Sequence, residues 1–287
     1  MKRSRILRNI SLVLSFIFIF SSFAFADSDV VVTLAKNIDA KQKEEILELF
    51  NVEEDEVETI EVNNQEEREY LEGVASEAQL GKKTMSSAYV ELLDDNSGIN
   101  VETYNITWVT KEMYANALAT AGVKNAKIIA AAPIPVSGTG ALTGVLKAFE
   151  QATGEKIDEE QKKVANEEVV RVGELGEEVG QEKASDLVRE VKERVVENNV
   201  KDPEEIKNII IEIAGDLNIN LNTEQIEKIG DLMEKISKLE LDTESIKNQL
   251  KDIGKKIDDS LKDNEEARNF LQKIFDAISD FFKSIFN

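Results

Sequence analysis

The stretch "APIPVSGTGALTGVLKAFEQATG", residues 132–154, is where residue types and spacing come nearest to a working site. An apolar strand runs into a glycine-rich bend and then a helix, the order in which backbone N–H groups cradle phosphate. Ser137, Gly138, Thr139 and Gly140 form the bend and are the candidate anion or ligand loop. The known fingerprints do not fit it. Gly138 and Gly140 supply the first two glycines of G-x-G-x-x-G, but Thr143 holds the third position and Gly144 comes one residue late. No lysine stands where a P-loop needs one. As a structural corner the stretch reads better: Pro133 and Pro135 end the strand, and Ser137 or Thr139 caps the helix. Leu142, Val145, Leu146 and Phe149 then form the buried stripe of that helix, and Gly144 admits a close neighbour. The corner is the preferred reading, and an anion or peptide carboxylate held by the helix N-terminus is its rival.

Other chemistry is thin. The chain has no His and no Cys, which removes every His-based triad, a structural zinc site and any disulfide framework. Lys82 and Lys83 lie near Ser86 and Ser87, but the order is reversed relative to a S-x-x-K nucleophile. Asp94, Asp95 and Asn96 imitate part of a calcium loop, yet Ile99 occupies the glycine position and no Glu closes it. A hairpin turn is the better reading there, and "EEDE" at 53–56 reads as a solvated loop. No catalytic residue, metal site or cofactor is expected. The one surviving enzyme class is a hydrolase using carboxylates alone, on glycan or cell-wall material.

The elements that hold the corner are legible from periodicity. "DVVVTLA" is a strand, Asp39 with Gln42 caps the helix "AKQKEEILELF", "VETIEV" is a half-buried strand and "QEEREYLEGVA" a second helix. "SSAYVELL" and "INVETYNITWV" flank "DDNSG" as an expected hairpin; Thr110 caps "KEMYANALATA" and "AKIIAAAP" is the fifth strand. Asp39–Val52 and Thr110–Val123 match at a shift of 71, each as cap, helix and lead into a strand. The expected fold is α+β: a small mixed or antiparallel sheet with packed helices, split β-α-β-like, followed by an all-α helical bundle. The composition shift near residue 155 divides the chain into an α/β domain, 27–155, and a helical domain, 156–287, each of about 130 residues.

Residues 1–26 carry Lys2, Arg3, Arg5 and Arg8, then an apolar run ending in Ala24-Phe25-Ala26. This is the pattern of an export signal with a cleavage site. Removing four basic residues and no acidic ones takes the formal charge from −22 to −26. Such acidity argues against nucleic acid as a partner, because a polyanion seeks a basic surface. The expected location is secreted, extracellular or at the cell surface.

The passage "SSAYVELL…SGINVETYNITWVTKEMYANALATAGVKNAKIIAAAPIPVSGTGALTGVLKAFEQATGEK", continued by "ANEEVVRVGELGEEVGQEKA", resembles the YpuA-like family of exported proteins from Gram-positive spore-formers and their relatives. The likeness implies an extracytoplasmic, cell-envelope setting. It brings no catalytic residues, because the family's function is unknown.

Past residue 155, Gly173, Gly176 and Gly180 are expected to break one long helical pattern into two helices. Asp202-Pro203, Asn222 with Gln225, and Asp242 start three more. The last segment sets Phe270, Leu271, Ile274, Phe275, Ile278, Phe281, Phe282, Ile285 and Phe286 on one helical face. Its start, from Phe270 to Ile278, is expected to pack on the bundle, while Phe281, Phe282 and Phe286 form a candidate interaction surface. Self-association or an unknown envelope or protein partner would cover it. Membrane contact ranks last, because Asp276 and Asp280 balance Lys273 and Lys283 on the polar face. The overall expectation is a non-enzymatic cell-envelope or extracellular role.

Overall fold

The computed structural model describes residues 30–263. The leader-like segment 1–26 and the apolar face carrying Phe281, Phe282 and Phe286 lie outside the described residues. Five strands form one mixed sheet: β1 (Val30–Ala35), β2 (Glu58–Val62), β3 (Ser87–Leu92), β4 (Ile99–Ile106) and β5 (Ala126–Val136), in the order β2-β1-β3-β5-β4. β1 pairs in parallel with β2, and β4 with β5. β3 runs antiparallel between these two pairs. With the helices that follow, this is the α+β class expected from sequence.

The expected hairpin between β3 and β4 does not form, because β5 lies between them. Burial explains the choice. Ile128 to Ala132 of β5 are buried on successive positions, so both faces of this strand are covered and it belongs inside the sheet. β4 alternates and carries Glu102 and exposed Tyr104, which suits an edge. The "DDNSG" connection instead wraps the start of β5. Leu93 N–H donates to the Asn125 carbonyl (2.7 Å), and Gly98 N–H to Asn125 Oδ1 (3.1 Å).

Between the strands run α1 (Ala40–Phe50), α2 (Asn64–Leu71), α3 (Glu77–Leu80) and α4 (Lys111–Thr120), and α5 (Thr139–Thr153) follows β5. α1 and α4 start with matching capping boxes at Asp39 and Thr110, and each leads from a parallel strand to its neighbour. The likeness at a shift of 71 is therefore real as local structure. It stops there, because the two helices pack on opposite faces. Ile46, Leu47 and Phe50 of α1 meet Val32, Tyr89 and Ile129. The alternate register positions Val31, Val90 and Ile128 join α4 and α5 in the main core.

Beyond α5 come α6 (Glu159–Val179), α7 (Gln181–Glu197), α8 (Pro203–Asp216), α9 (Thr223–Lys238) and α10 (Thr243–Asp263). The buried cluster runs without interruption from the sheet through α4 and α5 into these helices. Asp202, Asn222 and Asp242 each accept a backbone N–H at their helix start, as expected. Of the three glycines thought to break the long pattern, only Gly180 does so (φ +97°). Gly173 and Gly176 lie inside α6, and neighbours occupy the space that a side chain there would need. A Cβ at Gly173 would lie 2.3 Å from the Trp108 ring, and one at Gly176 would lie 2.0 Å from Gln181 Oε1.

Candidate functional site

The structure brings Ser137, Gly138, Thr139 and Gly140 together at the corner between β5 and α5. β5 does not stop at the prolines but runs to Val136, pairing again with β4 at Ile106 after an irregularity at Tyr104. The prolines are tolerated because β3 pairing ends at Ala131, so their missing N–H groups fall where only one neighbour remains. Neither Ser137 nor Thr139 caps α5. Gly138 is the N-cap (φ +99°), without a side-chain cap. Its conformation and its surroundings both require glycine: a Cβ would stand 2.4 Å from Ile106 Cγ2 and 2.6 Å from the Tyr114 hydroxyl.

The two hydroxyls are spent on α2 and α3 instead. Ser137 Oγ donates to the Gln79 carbonyl (3.2 Å), and Thr139 Oγ1 donates to Glu67 Oε1 (2.7 Å). Gly140 faces the same carboxylate, since a Cβ there would lie 2.8 Å from Glu67 Oε2. Thus the N-terminal turn of α5 already has an anion beside it, and the anion is the chain's own Glu67, which is buried. The positive end of the helix favours this placement. Burial nonetheless pushes the Glu67 carboxyl above its ordinary range, against the pull of Thr139, Asn64 and Arg68. Tyr114, fully buried, donates to the Gly138 carbonyl (2.5 Å). Burial, then the Glu67 charge, pushes its phenol strongly upward. The corner is closed by internal partners on every named side chain. Gly144, one turn on, sits against the Thr33 hydroxyl at 2.6 Å from a would-be Cβ, so α5 lies flush on β1.

A second polar cluster joins α4, α6 and α7. Lys192 Nζ donates to Glu168 Oε1 (2.6 Å), the Asn116 carbonyl (2.7 Å) and Thr120 Oγ1 (2.9 Å). Thr120 Oγ1 in turn lies 2.6 Å from Glu168 Oε2. Lys192 and Glu168 are both 0% exposed. Burial pulls the Lys192 amine below its ordinary value, opposed by the Glu168 carboxylate. The pair locks three helices together and has no contact with solvent. Sequence reasoning passed over it, although a signal existed. Glu168 lies between Ala165 and Val172, and Lys192 between Val188 and Val195, so each interrupts an apolar stripe at helical spacing.

The remaining sequence candidates have structural places. Ser87 Oγ accepts the Ala35 N–H (3.0 Å), and residues 53–56 are exposed. Among the described residues no group of three Asp, Glu, His or Cys side chains is placed to hold a metal ion. Nor is any described helix long and apolar enough to cross a membrane.

The model of a protein family of unknown function, DUF1002, matches residues 34–253. A curated relative, the uncharacterized protein YpuA of Bacillus subtilis (strain 168), is 40% identical over 263 residues, covering 91% of this chain and 89% of its own. No solved structure matches this chain.

Proposed function

The chain belongs to the DUF1002 family, and on that premise we propose that it is an exported protein with a non-enzymatic, binding or structural role in the cell envelope or outside the cell. The observation that carries this reading is the closed corner at Ser137–Gly140. The one loop with the order of an anion cradle is filled by Glu67 from the same chain, so it serves as a joint between the sheet and α2. Export is supported by the basic-then-apolar start ending in Ala24-Phe25-Ala26. The acidity of the mature chain suits a soluble surface that repels polyanions.

The test incubates the mature protein with purified cell-wall fractions. Saturable retention without release of soluble fragments supports the binding role. Release of glycan or peptide fragments replaces it with the carboxylate-dependent hydrolase. Protein recovered from the medium or cell surface should have an intact mass beginning at Asp27, and a full-length chain in the membrane fraction would overturn the export reading.

A further inference from the structure

An open groove of about 410 Å³ lies where edge strand β4 meets α4 and α10. Half of its lining is apolar: Ile99 and Val101 from β4, Ala115 from α4, and Ile253 and Ile257 from α10. The other half is polar, with Asn100, Glu102, Glu112 and Lys256, and with Lys111 exposed at its rim. Lys256 reaches across to the Ile99 carbonyl (3.2 Å) and Asn100 Oδ1 (2.9 Å), so α10 already runs beside the strand edge. We propose that this groove seats the chain's own C-terminal segment, residues 264–287, with Phe270, Leu271 and Ile274 as the side chains that fill it.

The location of the segment argues for it. α10 is described to Asp263, six residues past groove-lining Ile257, which is about 9 Å at helical rise. The segment therefore begins about 9 Å of helix beyond the groove, and the seven residues to Phe270 span up to about 24 Å if extended, enough length to turn back over it. A short tether gives an effective concentration in the millimolar range. A second copy of the chain competes only at comparable concentration, so the tethered segment wins in dilute solution. Size fixes the assignment further. A groove near the lower end of the usual ~300–1,000 Å³ for ligand pockets takes a few side chains of the nine on the apolar face. The nearest three in sequence are Phe270, Leu271 and Ile274, in which Ile274 follows the other two at the i+4 and i+3 spacings that pair side chains on a helix.

The chain lacks cysteine, so introduced pairs form the sole disulfide. The experiment uses the full mature chain with Lys111→Cys at the rim, paired with Ala267→Cys or Ala277→Cys on either side of the three fillers. Glu54→Cys in the exposed loop replaces Lys111→Cys as the control. We expect an intramolecular disulfide from the rim pairs that persists on dilution and exceeds the control. Adding Val101→Glu, or Ile274→Asp should the first change lower the helical circular dichroism, should abolish it. Disulfide-linked dimers alone would assign the groove to a second copy and overturn the proposal. So would a rim pair no better than the control, or a crosslink that survives both charged substitutions.

Discussion

Replacing Lys192 by Met tests whether the buried pair with Glu168 holds the helices as its geometry implies. The ammonium serves three acceptors at 2.6–2.9 Å and is 0% exposed. Met keeps the stem and removes the charge, so Glu168 Oε1 loses its partner while Oε2 keeps only Thr120. A carboxylate left alone in an apolar interior costs about 3–5 kcal/mol. Set against the ~5–15 kcal/mol of a typical domain, that is a large share of the total. With a urea slope of ~2 kcal/mol/M, a loss of ~4 kcal/mol moves the unfolding midpoint down by about 2 M. The complete cycle adds Glu168→Leu and the double substitution. Removing both charges takes away both desolvation costs, so the double variant should recover most of the loss and approach the parent, as buried pairs replaced by apolar residues do. Urea unfolding followed by circular dichroism supplies all four free energies. A single substitution costing less than ~1 kcal/mol, the range of solvent-exposed pairs, would mean that water reaches the pair. A double variant as poor as the sum of the singles would mean that the two charges are not coupled. Either result would refute the reasoning.

Three further outcomes are expected. Gly144→Val places a branched side chain where even a Cβ meets Thr33 Oγ1 at 2.6 Å; overpacking should cost about 1–3 kcal/mol and lower the melting temperature, and an unchanged melting temperature would show that α5 does not lie flush on β1. Glu67→Gln keeps an acceptor for Thr139 while removing the buried charge. Because the folded carboxyl is held above its ordinary value of 4.5, the native side chain costs stability at neutral pH, and that cost disappears once pH falls below the ordinary value. The variant should therefore be the more stable protein at pH 7 and lose this advantage in acid; a difference that ignores pH would show that Glu67 is not desolvated. Gly173→Ala should displace the ring of Trp108, the chain's one tryptophan, and disturb its hydrogen bond to Glu177 (2.8 Å). A red-shifted emission spectrum is expected, and emission identical to the parent would remove the close contact between Trp108 and α6.

The amino-acid sequence by itself determined the local structure of this protein. Caps such as Asp39, Thr110, Asp202 and Asn222 mark their helix starts because a short side chain satisfies N–H groups two or three residues on, and no distant residue is needed. Hydrophobic alternation likewise marked the strands, and the glycine-rich bend marked a strand-to-helix corner. Tertiary structure decided what periodicity cannot carry. Strand order came from the doubly covered faces of β5, which had to lie inside the sheet and so separated β3 from β4. Whether Gly173 breaks a helix or receives a ring depended on Trp108, 65 positions earlier in the sequence. The corner at Ser137–Gly140 has the same dependence. Its hydroxyls and its helix end could serve an outside anion or an inside one, and the choice rested on Glu67, delivered by α2 from 72 positions away. A charge among 57 acidic residues carries no local mark of such a role. Only packing removes it from water, and once water is gone its hydrogen-bond partners must come from the fold.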